Sequence, residues 1–265
     1  MESKFIKYQN INIHYRSIGK GVCVILLHGF GEDSNIWNTI INALKTDFNL
    51  LIPDIPGSGK SEMLTGENIL IDDYAVVIKT ILDKENITMC SMIGHSMGGY
   101  IALSFAEKYP ESLIALGLFH SSAFGDDKEK KQARLKGIDF INKNGAHAFL
   151  KTSIPNLFSE NFKLKYSKEI DRLIENGKSF LPQALIQYYN AMINRTDTTD
   201  LLKTFDKPVL FIIGEMDKAV PMQTILQQCH LPSVSHIYVM DTGHMGMLED
   251  TEKSKEILWE FLHNI

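Results

Sequence analysis

The segment Gly94-His95-Ser96-Met97-Gly98 has the spacing G-x-S-x-G, in which a serine lies on a sharp turn between a strand and a helix. An apolar run precedes the segment, and a stretch of helical periodicity that stops before Pro110 follows it. Glycine at positions 94 and 98 predicts a turn too tight for side chains there, with Ser96 strained and its Oγ exposed. This context favours a nucleophilic serine over a serine without function on a glycine-rich turn.

A serine hydroxyl is a poor nucleophile near pH 7, so it needs a base, and the base needs an acid to orient it. Among nine histidines, His244 is the best placed base, because it lies in a loop between an apolar run and the last helical stretch. Asp217 also follows an apolar run and is the predicted acid. Glu215 is the rival acid, but it directly follows Gly214 and is too close to the strand end to reach across.

A negatively charged oxygen that develops during acyl transfer needs two backbone N–H donors. We expect Met97 to supply one, at a helix N-terminus, and Phe30 to supply the other from the turn His28-Gly29-Phe30-Gly31. We interpret His28 as a structural hydrogen-bonding residue that braces this turn.

The segment Asp54–Ser61 ends in Gly-Lys-Ser, which invites comparison with a phosphate-binding loop. That motif needs glycine at position 54, where this chain has aspartate, so the match fails. We interpret the segment as a structural turn after a strand.

Apolar runs of strand length indicate where these candidate residues lie in the fold. The first two flank Asn10 and alternate apolar with polar residues, which predicts an antiparallel hairpin. The others are nearly continuous, as in parallel strands covered on both faces, and span residues 22–27, 48–54, 88–94, 113–119, 208–214 and 235–240. Helical stretches at 34–45, 71–85, 97–109, 222–229 and 251–263 separate most of them, which predicts an α/β sheet. The candidate residues then follow strand ends at one edge of that sheet.

Between Phe119 and Pro208 no strand pattern occurs, and four stretches look helical, at 127–143, 146–152, 166–177 and 182–194. We predict a helical cap over residues 124–200, with a core formed by residues 1–123 and 201–265. Within the last helical stretch, Tyr188 and Met192 lie on an apolar stripe that faces either a pocket or the core beneath. These two residues and Met245, beside His244, are the candidate substrate-binding residues.

Composition excludes several classes of protein. Of 265 residues, 44% are hydrophobic and 22% charged, which is inconsistent with disorder, collagen or coiled coil. The net charge of −5 gives no reason to expect binding to nucleic acid or to an anionic membrane. Cys23, Cys90 and Cys229 have no CxxC spacing and suggest neither a disulfide framework nor a zinc site.

The N-terminal residues have no apolar segment typical of a signal peptide, and no apolar run approaches the roughly 20 residues that span a bilayer. We therefore expect a soluble cytoplasmic protein. No cofactor and no metal is predicted, and the sequence indicates no oligomeric state.

Taken together, HGFG, DIPGSGKS, GHSMGG, GEMD and TGH resemble the α/β-hydrolase superfamily from about residue 22 to the end of the chain. Within it the chain is most similar to small capped serine esterases, enol-lactonases, cofactor-free haloperoxidases and carbon–carbon bond hydrolases. The resemblance implies an α/β-hydrolase fold, with an eight-stranded, mostly parallel sheet and a helical cap. Serine at position 96 argues against haloalkane dehalogenases and epoxide hydrolases, which have aspartate there.

The same resemblance implies a Ser96-Asp217-His244 triad, in the chain order of this superfamily, with Phe30 and Met97 as oxyanion donors. The leading hypothesis is a serine hydrolase that acts on a small ester or related acyl compound. The alternatives are a carbon–carbon bond hydrolase or lyase and a ligand-sensing receptor of the same fold with slow turnover. Turnover separates the last of these, because a receptor reacts with an ester about once and then stalls.

Overall fold

Eight strands form a single sheet in the computed structural model, which describes residues 1–265. The strand order is β1-β2-β4-β3-β5-β6-β7-β8, with β2 antiparallel to both β1 and β4 and all other neighbours parallel. This confirms the predicted α/β-hydrolase fold with a mostly parallel sheet. The strands are β1 (Glu2–Tyr8), β2 (Ile11–Ile18), β3 (Val22–Leu27), β4 (Phe48–Pro53), β5 (Cys90–His95), β6 (Leu113–Phe119), β7 (Val209–Gly214) and β8 (Ser235–Met240).

The central strands are buried on both faces because helices cover them. Every residue of β5 and of β7 is buried, which is why their sequences show continuous apolar runs rather than alternation. Around the sheet, α1 packs against α12 and α2 packs against α3, which also contacts β5 and β6. These helices are α1 (Asn38–Leu44), α2 (Ile71–Lys84), α3 (Met97–Lys108), α10 (Met222–Leu226), α11 (Gly246–Glu249) and α12 (Thr251–His263).

Strand β8 differs from the prediction that each later strand is covered on both faces. It lies at the edge of the sheet, where Ile237 and Val239 are 46% and 50% exposed. His236, on the alternate face, packs its ring against Phe261 of α12. An edge strand with a helix on one side only exposes every second side chain, and the apolar sequence of β8 did not reveal this.

Six helices connect β6 to β7. Four correspond to the predicted stretches, whereas α6 and α9, of six residues each, were not predicted. These helices are α4 (Lys128–Asn144), α5 (Ala146–Ser153), α6 (Glu160–Lys165), α7 (Ser167–Asn176), α8 (Pro182–Ile193) and α9 (Thr199–Thr204). Within the group, α4 packs against both α5 and α8.

One apolar core of 72 buried residues runs through the sheet and into these connecting helices. It includes Leu26 of β3 and Phe211 of β7, but also Leu150 of α5 and Tyr188 of α8. The connecting helices are therefore fixed against the sheet by shared apolar packing, which holds their side chains in place above the strand ends.

Candidate active site

Ser96 lies on the sharp turn between β5 and α3, and its backbone has a φ of +50° and a ψ of −115°. A positive φ is uncommon for a residue other than glycine and is maintained only where the surroundings enforce it. Here the surroundings are backbone: a Cβ on Gly94 would lie 2.3 Å from the carbonyl oxygen of Gly98, and one on Gly98 would lie 2.6 Å from that of Leu27. The turn is thus as tight as the G-x-S-x-G spacing predicts.

A cavity of about 170 Å³ contains both Ser96 and His244 in its wall. Nine of its 14 lining residues are hydrophobic, and several come from α5 and α8. The Ser96 Oγ and the His244 Nε2 make no hydrogen bond, either to each other or to other protein atoms, so both remain available to a ligand in the cavity. A larger cleft of about 390 Å³ also has Glu32 in its wall, but neither Ser96 nor His244 lines it.

His244 and Asp217 form a buried hydrogen-bonded pair, with 2.7 Å between Nδ1 and Oδ2. The other carboxylate oxygen of Asp217 accepts the backbone N–H groups of Ala219 at 2.8 Å and Val220 at 2.9 Å. Burial favours the protonated acid, but attraction to His244 and these hydrogen bonds outweigh it and lower the pKa of Asp217. A carboxylate beside Nδ1 places the proton there and leaves the lone pair on Nε2. Glu215, the rival acid, is exposed, and the carboxylate that His244 binds is that of Asp217.

Two backbone N–H groups are free to act as donors, one on Phe30, which lines the cavity with Ser96, and one on Met97, which follows Ser96 in the chain. The N–H of Phe30 makes no hydrogen bond within the chain, and Met97 is the first residue of α3, where a helix leaves its N–H groups unpaired. The Phe30 ring stacks on that of Tyr189 in α8, with centroids 4.4 Å apart. The loop that carries Phe30 is therefore held against the connecting helices.

His95, which directly precedes Ser96, forms a second buried pair with Glu32. The sequence did not indicate this pair. Nδ1 of His95 is 3.1 Å from Glu32 Oε2, and its Nε2 is 2.9 Å from the carbonyl oxygen of His244. Burial favours the neutral forms, but mutual attraction and the hydrogen bond raise the pKa of His95 and lower that of Glu32. Glu32 also accepts the N–H of Gly29, so this pair ties together the Phe30 loop, the serine turn and the His244 loop.

His120 is a further buried residue near the His244–Asp217 pair, and the sequence did not indicate it. It follows β6 with a φ of +49°, and its Nδ1 is 3.7 Å from Asp217 Oδ2. Neither ring nitrogen has a hydrogen-bond partner. Burial lowers the pKa of His120 far below its usual value, so the ring is neutral near pH 7.

Sequence similarity identifies the family to which this chain belongs. The sequence model of the α/β-hydrolase-fold family matches residues 22–251. The chain belongs to the α/β-hydrolase family.

Individual members of the family are similar along their whole length. A pimeloyl-(acyl-carrier protein) methyl ester esterase of Legionella pneumophila (strain Corby) is 26% identical over 95% of this chain and 100% of its own. The 2-hydroxy-6-oxononadienedioate/2-hydroxy-6-oxononatrienedioate hydrolase 1 of Pseudomonas putida is 26% identical over 98% of this chain and 96% of its own. A solved thermophilic esterase from Thermogutta terrifontis superposes with a TM-score of 0.93 at 25% identity, covering 100% of this chain and 99% of its own.

His28 braces the loops of this α/β-hydrolase as predicted. Its Nε2 accepts the N–H of Ile55 at 2.9 Å and lies 2.8 Å from the Ser58 hydroxyl. The Gly-Lys-Ser segment is a structural turn, because Asp54 accepts the N–H of Lys60 at 2.9 Å.

Of the three candidate substrate-binding residues of this α/β-hydrolase, the structure places only Met192 in the cavity wall. Tyr188 is fully buried outside the wall, and its hydroxyl donates to the carbonyl oxygen of Pro56 at 2.8 Å. Its neighbour Tyr189 lines the cavity instead, since one residue turns the side chain by about 100° around a helix. Met245 is buried and also lies outside the wall.

No group of three or more His, Cys, Asp or Glu side chains in this α/β-hydrolase is arranged to hold a metal ion. No helix is both long and apolar enough to cross a membrane.

Proposed function

We propose that this chain is a serine hydrolase that cleaves a small carboxylic ester, with Ser96 as nucleophile, His244 as base and Asp217 as the orienting acid. The observation that carries the proposal is the buried His244–Asp217 hydrogen bond beside a cavity that also contains the strained serine turn. This arrangement leaves an unprotonated Nε2 and a free hydroxyl facing the same small space.

The reaction follows from these positions. The Ser96 Oγ attacks the ester carbonyl carbon while His244 Nε2 takes the hydroxyl proton, and Asp217 stabilises the imidazolium. The N–H groups of Phe30 and Met97 bind the negatively charged oxygen of the tetrahedral intermediate. His244 then gives the proton to the alcohol oxygen as the bond between this oxygen and the carbonyl carbon breaks. The alcohol is released, and the acyl group remains bound to Ser96. Water attacks the acyl-enzyme by the same route and releases the acid and the free serine.

The helices of residues 124–200 act in this proposal as a cap that sets substrate size, over a core of residues 1–123 and 201–265. Support comes from the cavity wall, to which the connecting helices contribute Leu150, Ile154, Leu157, Tyr189 and Met192. A mostly apolar wall with few polar groups is typical of small-molecule sites. The cavity volume favours a short acyl chain.

The relatives support ester hydrolysis, since the Legionella and Thermogutta proteins are both named as esterases. A carbon–carbon bond hydrolase is the second candidate, because the Pseudomonas relative is named for a substrate that carries a ketone and two carboxylates but no ester.

The test is steady-state turnover of p-nitrophenyl esters of increasing acyl length by the chain and by its Ser96→Ala variant. We expect many turnovers per chain, highest for short acyl groups, and background rates for the variant. Release of one nitrophenolate per chain followed by a stall would instead indicate a ligand-sensing receptor. Absence of ester turnover together with cleavage of 2-hydroxy-6-oxononadienedioate would favour the carbon–carbon candidate.

A further inference from the structure

Two arginines share a single buried carboxylate next to the proposed catalytic cavity. Asp126, whose side chain has no exposure to solvent, binds Arg134 of α4 through Nε at 2.5 Å and through Nη2 at 3.3 Å. It also binds Nη1 of Arg195 at 2.5 Å. Because a guanidinium keeps its proton in proteins, this cluster carries one positive charge more than it carries negative charge.

Arg195 makes several contacts within this cluster. Besides Asp126, it donates to the carbonyl oxygen of Phe124, and its guanidinium lies 3.8 Å from the centroid of the Tyr100 ring. Its side chain is only 6% exposed. Asp126 is therefore shared between the two guanidiniums, and its single negative charge balances only one of their two positive charges.

Arg134 lines the same cavity as Ser96 and His244. Of its five N–H groups, two are used by Asp126, and no protein acceptor takes the three others. The cavity holds no carboxylate free to take them: Glu32 is paired with His95, and Asp217 lies outside the wall, bound to His244 and backbone N–H groups. A partly buried cation with open donors thus faces an otherwise mostly apolar space.

We infer that Arg134 binds a carboxylate of the substrate, so that the preferred esters carry an anionic group at the end away from the bond that is cleaved. A planar guanidinium matches a carboxylate with paired charge-assisted hydrogen bonds, which are stronger than neutral ones. The inference rests on the proposed function for the position of the scissile bond. The anionic group belongs to either the acyl or the alcohol part, and the experiment separates the two.

The acyl side is tested with the p-nitrophenyl monoester of adipic acid and its neutral counterpart, p-nitrophenyl 5-carbamoylpentanoate. The alcohol side is tested with 4-acetoxybutanoate and 4-acetoxybutanamide. On one of the two sides we expect kcat/KM to favour the anionic ester by about 10- to 100-fold. Arg134→Gln should remove this preference, so that kcat/KM for the anionic ester falls to about that for its neutral counterpart, while Asp126 keeps Arg195 as a partner.

Arg172→Gln is the matched control, since Arg172 is a 63% exposed residue of the same connecting helices that lies outside this cavity. It should retain the preference for the anionic ester. A wild-type chain that prefers the neutral ester on both sides, or an Arg134→Gln variant that slows both members of a pair equally, would overturn the inference. Hydrolysis of neutral esters without anionic preference would leave the proposed function standing.

A binding measurement tests the subsite without turnover. The Ser96→Ala chain, titrated by calorimetry with the adipate monoester, should bind it about tenfold more tightly than the carbamoyl ester. The Ser96→Ala/Arg134→Gln double variant should lose that difference. Equal binding of both esters by the single variant contradicts the inference even if no ester is ever hydrolysed.

Discussion

Nε2 of His95 lies 2.9 Å from the backbone carbonyl oxygen of His244, so the residue directly before the proposed nucleophile holds the loop of the proposed base. A carbonyl oxygen accepts only, which requires a proton on this nitrogen. The other ring nitrogen faces the Glu32 carboxylate, and the pKa directions of both groups favour the ionised pair. The serine turn and the base loop are thus fixed to each other through a buried imidazolium.

Glu32→Gln should lower thermal stability most strongly between about pH 4.5 and pH 6.5. The contribution of Glu32, whose pKa is lowered on folding, is present above the unfolded value of about 4.3 and is lost as the pH falls through the folded value. The contribution of His95, whose pKa is raised, is complete below about 6.5 and is lost as the pH rises through its folded value. Both contributions are complete only in this window.

Melting temperatures of wild type and variant across pH 4–9 measure this effect. At pH 5.5 we expect a loss of about 1–3 kcal/mol, or roughly 3–10 °C. The exposed Glu67→Gln is the control and should leave the melting temperature unchanged at every pH. A difference between wild type and Glu32→Gln that does not vary with pH would rule out an ionised Glu32–His95 pair.

Asp217→Asn should fold normally and lose about 10⁴ in kcat. An amide neither fixes the proton on His244 Nδ1 nor stabilises the imidazolium that forms during catalysis. The control is Glu215→Gln, two residues earlier on the exposed side of the same loop, which should keep wild-type kcat. An inactive Glu215→Gln beside an active Asp217→Asn would show that the acid is Glu215.

Gly94→Ala should destabilise the chain by about 3 kcal/mol or more, or roughly 6–12 °C in melting temperature. The added Cβ meets backbone atoms of Gly98 at 2.3 Å, and backbone cannot move aside as the end of a flexible side chain can. Gly125→Ala, whose nearest neighbour would lie at 3.3 Å, should cost much less. Equal melting temperatures for the two variants would mean that the serine turn is not held by this close approach.

The strands were predictable because burial on both faces leaves a continuous apolar run. Strand β7 was expected at 208–214 and spans Val209–Gly214, and β5 was expected at 88–94 and spans Cys90–His95. Helices α6 and α9 were missed because six residues make fewer than two turns and show no period.

The parts of the site that are local in the sequence could be predicted, and the contacts between residues distant in the sequence could not. The serine turn is defined within five residues, and the spacing alone predicts its geometry. Glu32 and His95 are 63 residues apart, and Arg195 and Asp126 are 69 apart, so no local pattern records either contact. A carboxylate two residues after Phe30 and a histidine beside the serine were the only available signals for the first pair.

Met192→Ala should shift the preferred acyl length upward, because the Met192 side chain forms part of the cavity wall. We expect kcat/KM for longer esters to change relative to shorter ones by the equivalent of about 1–3 kcal/mol per lost contact. Kinetics on a series of p-nitrophenyl esters from acetate to decanoate measures the shift.

Tyr188→Phe is the matched control on the same helix. It removes the hydrogen bond to the Pro56 carbonyl and should cost about 1–3 kcal/mol of stability without changing the acyl-length profile. If Tyr188→Phe alters the profile and Met192→Ala does not, the wall of the cavity is not where substrate binds.

The most direct test of the account is covalent labelling by a fluorophosphonate, followed by peptide mass mapping. The reagent reacts with a serine that has an active base beside it, so the account predicts one phosphonyl group per chain, on Ser96. The Ser96→Ala chain, with its fold verified by its melting curve, should take up none. Labelling that persists in Ser96→Ala, or an unlabelled Ser96 in a folded wild-type chain, would contradict the assignment of this serine as the nucleophile.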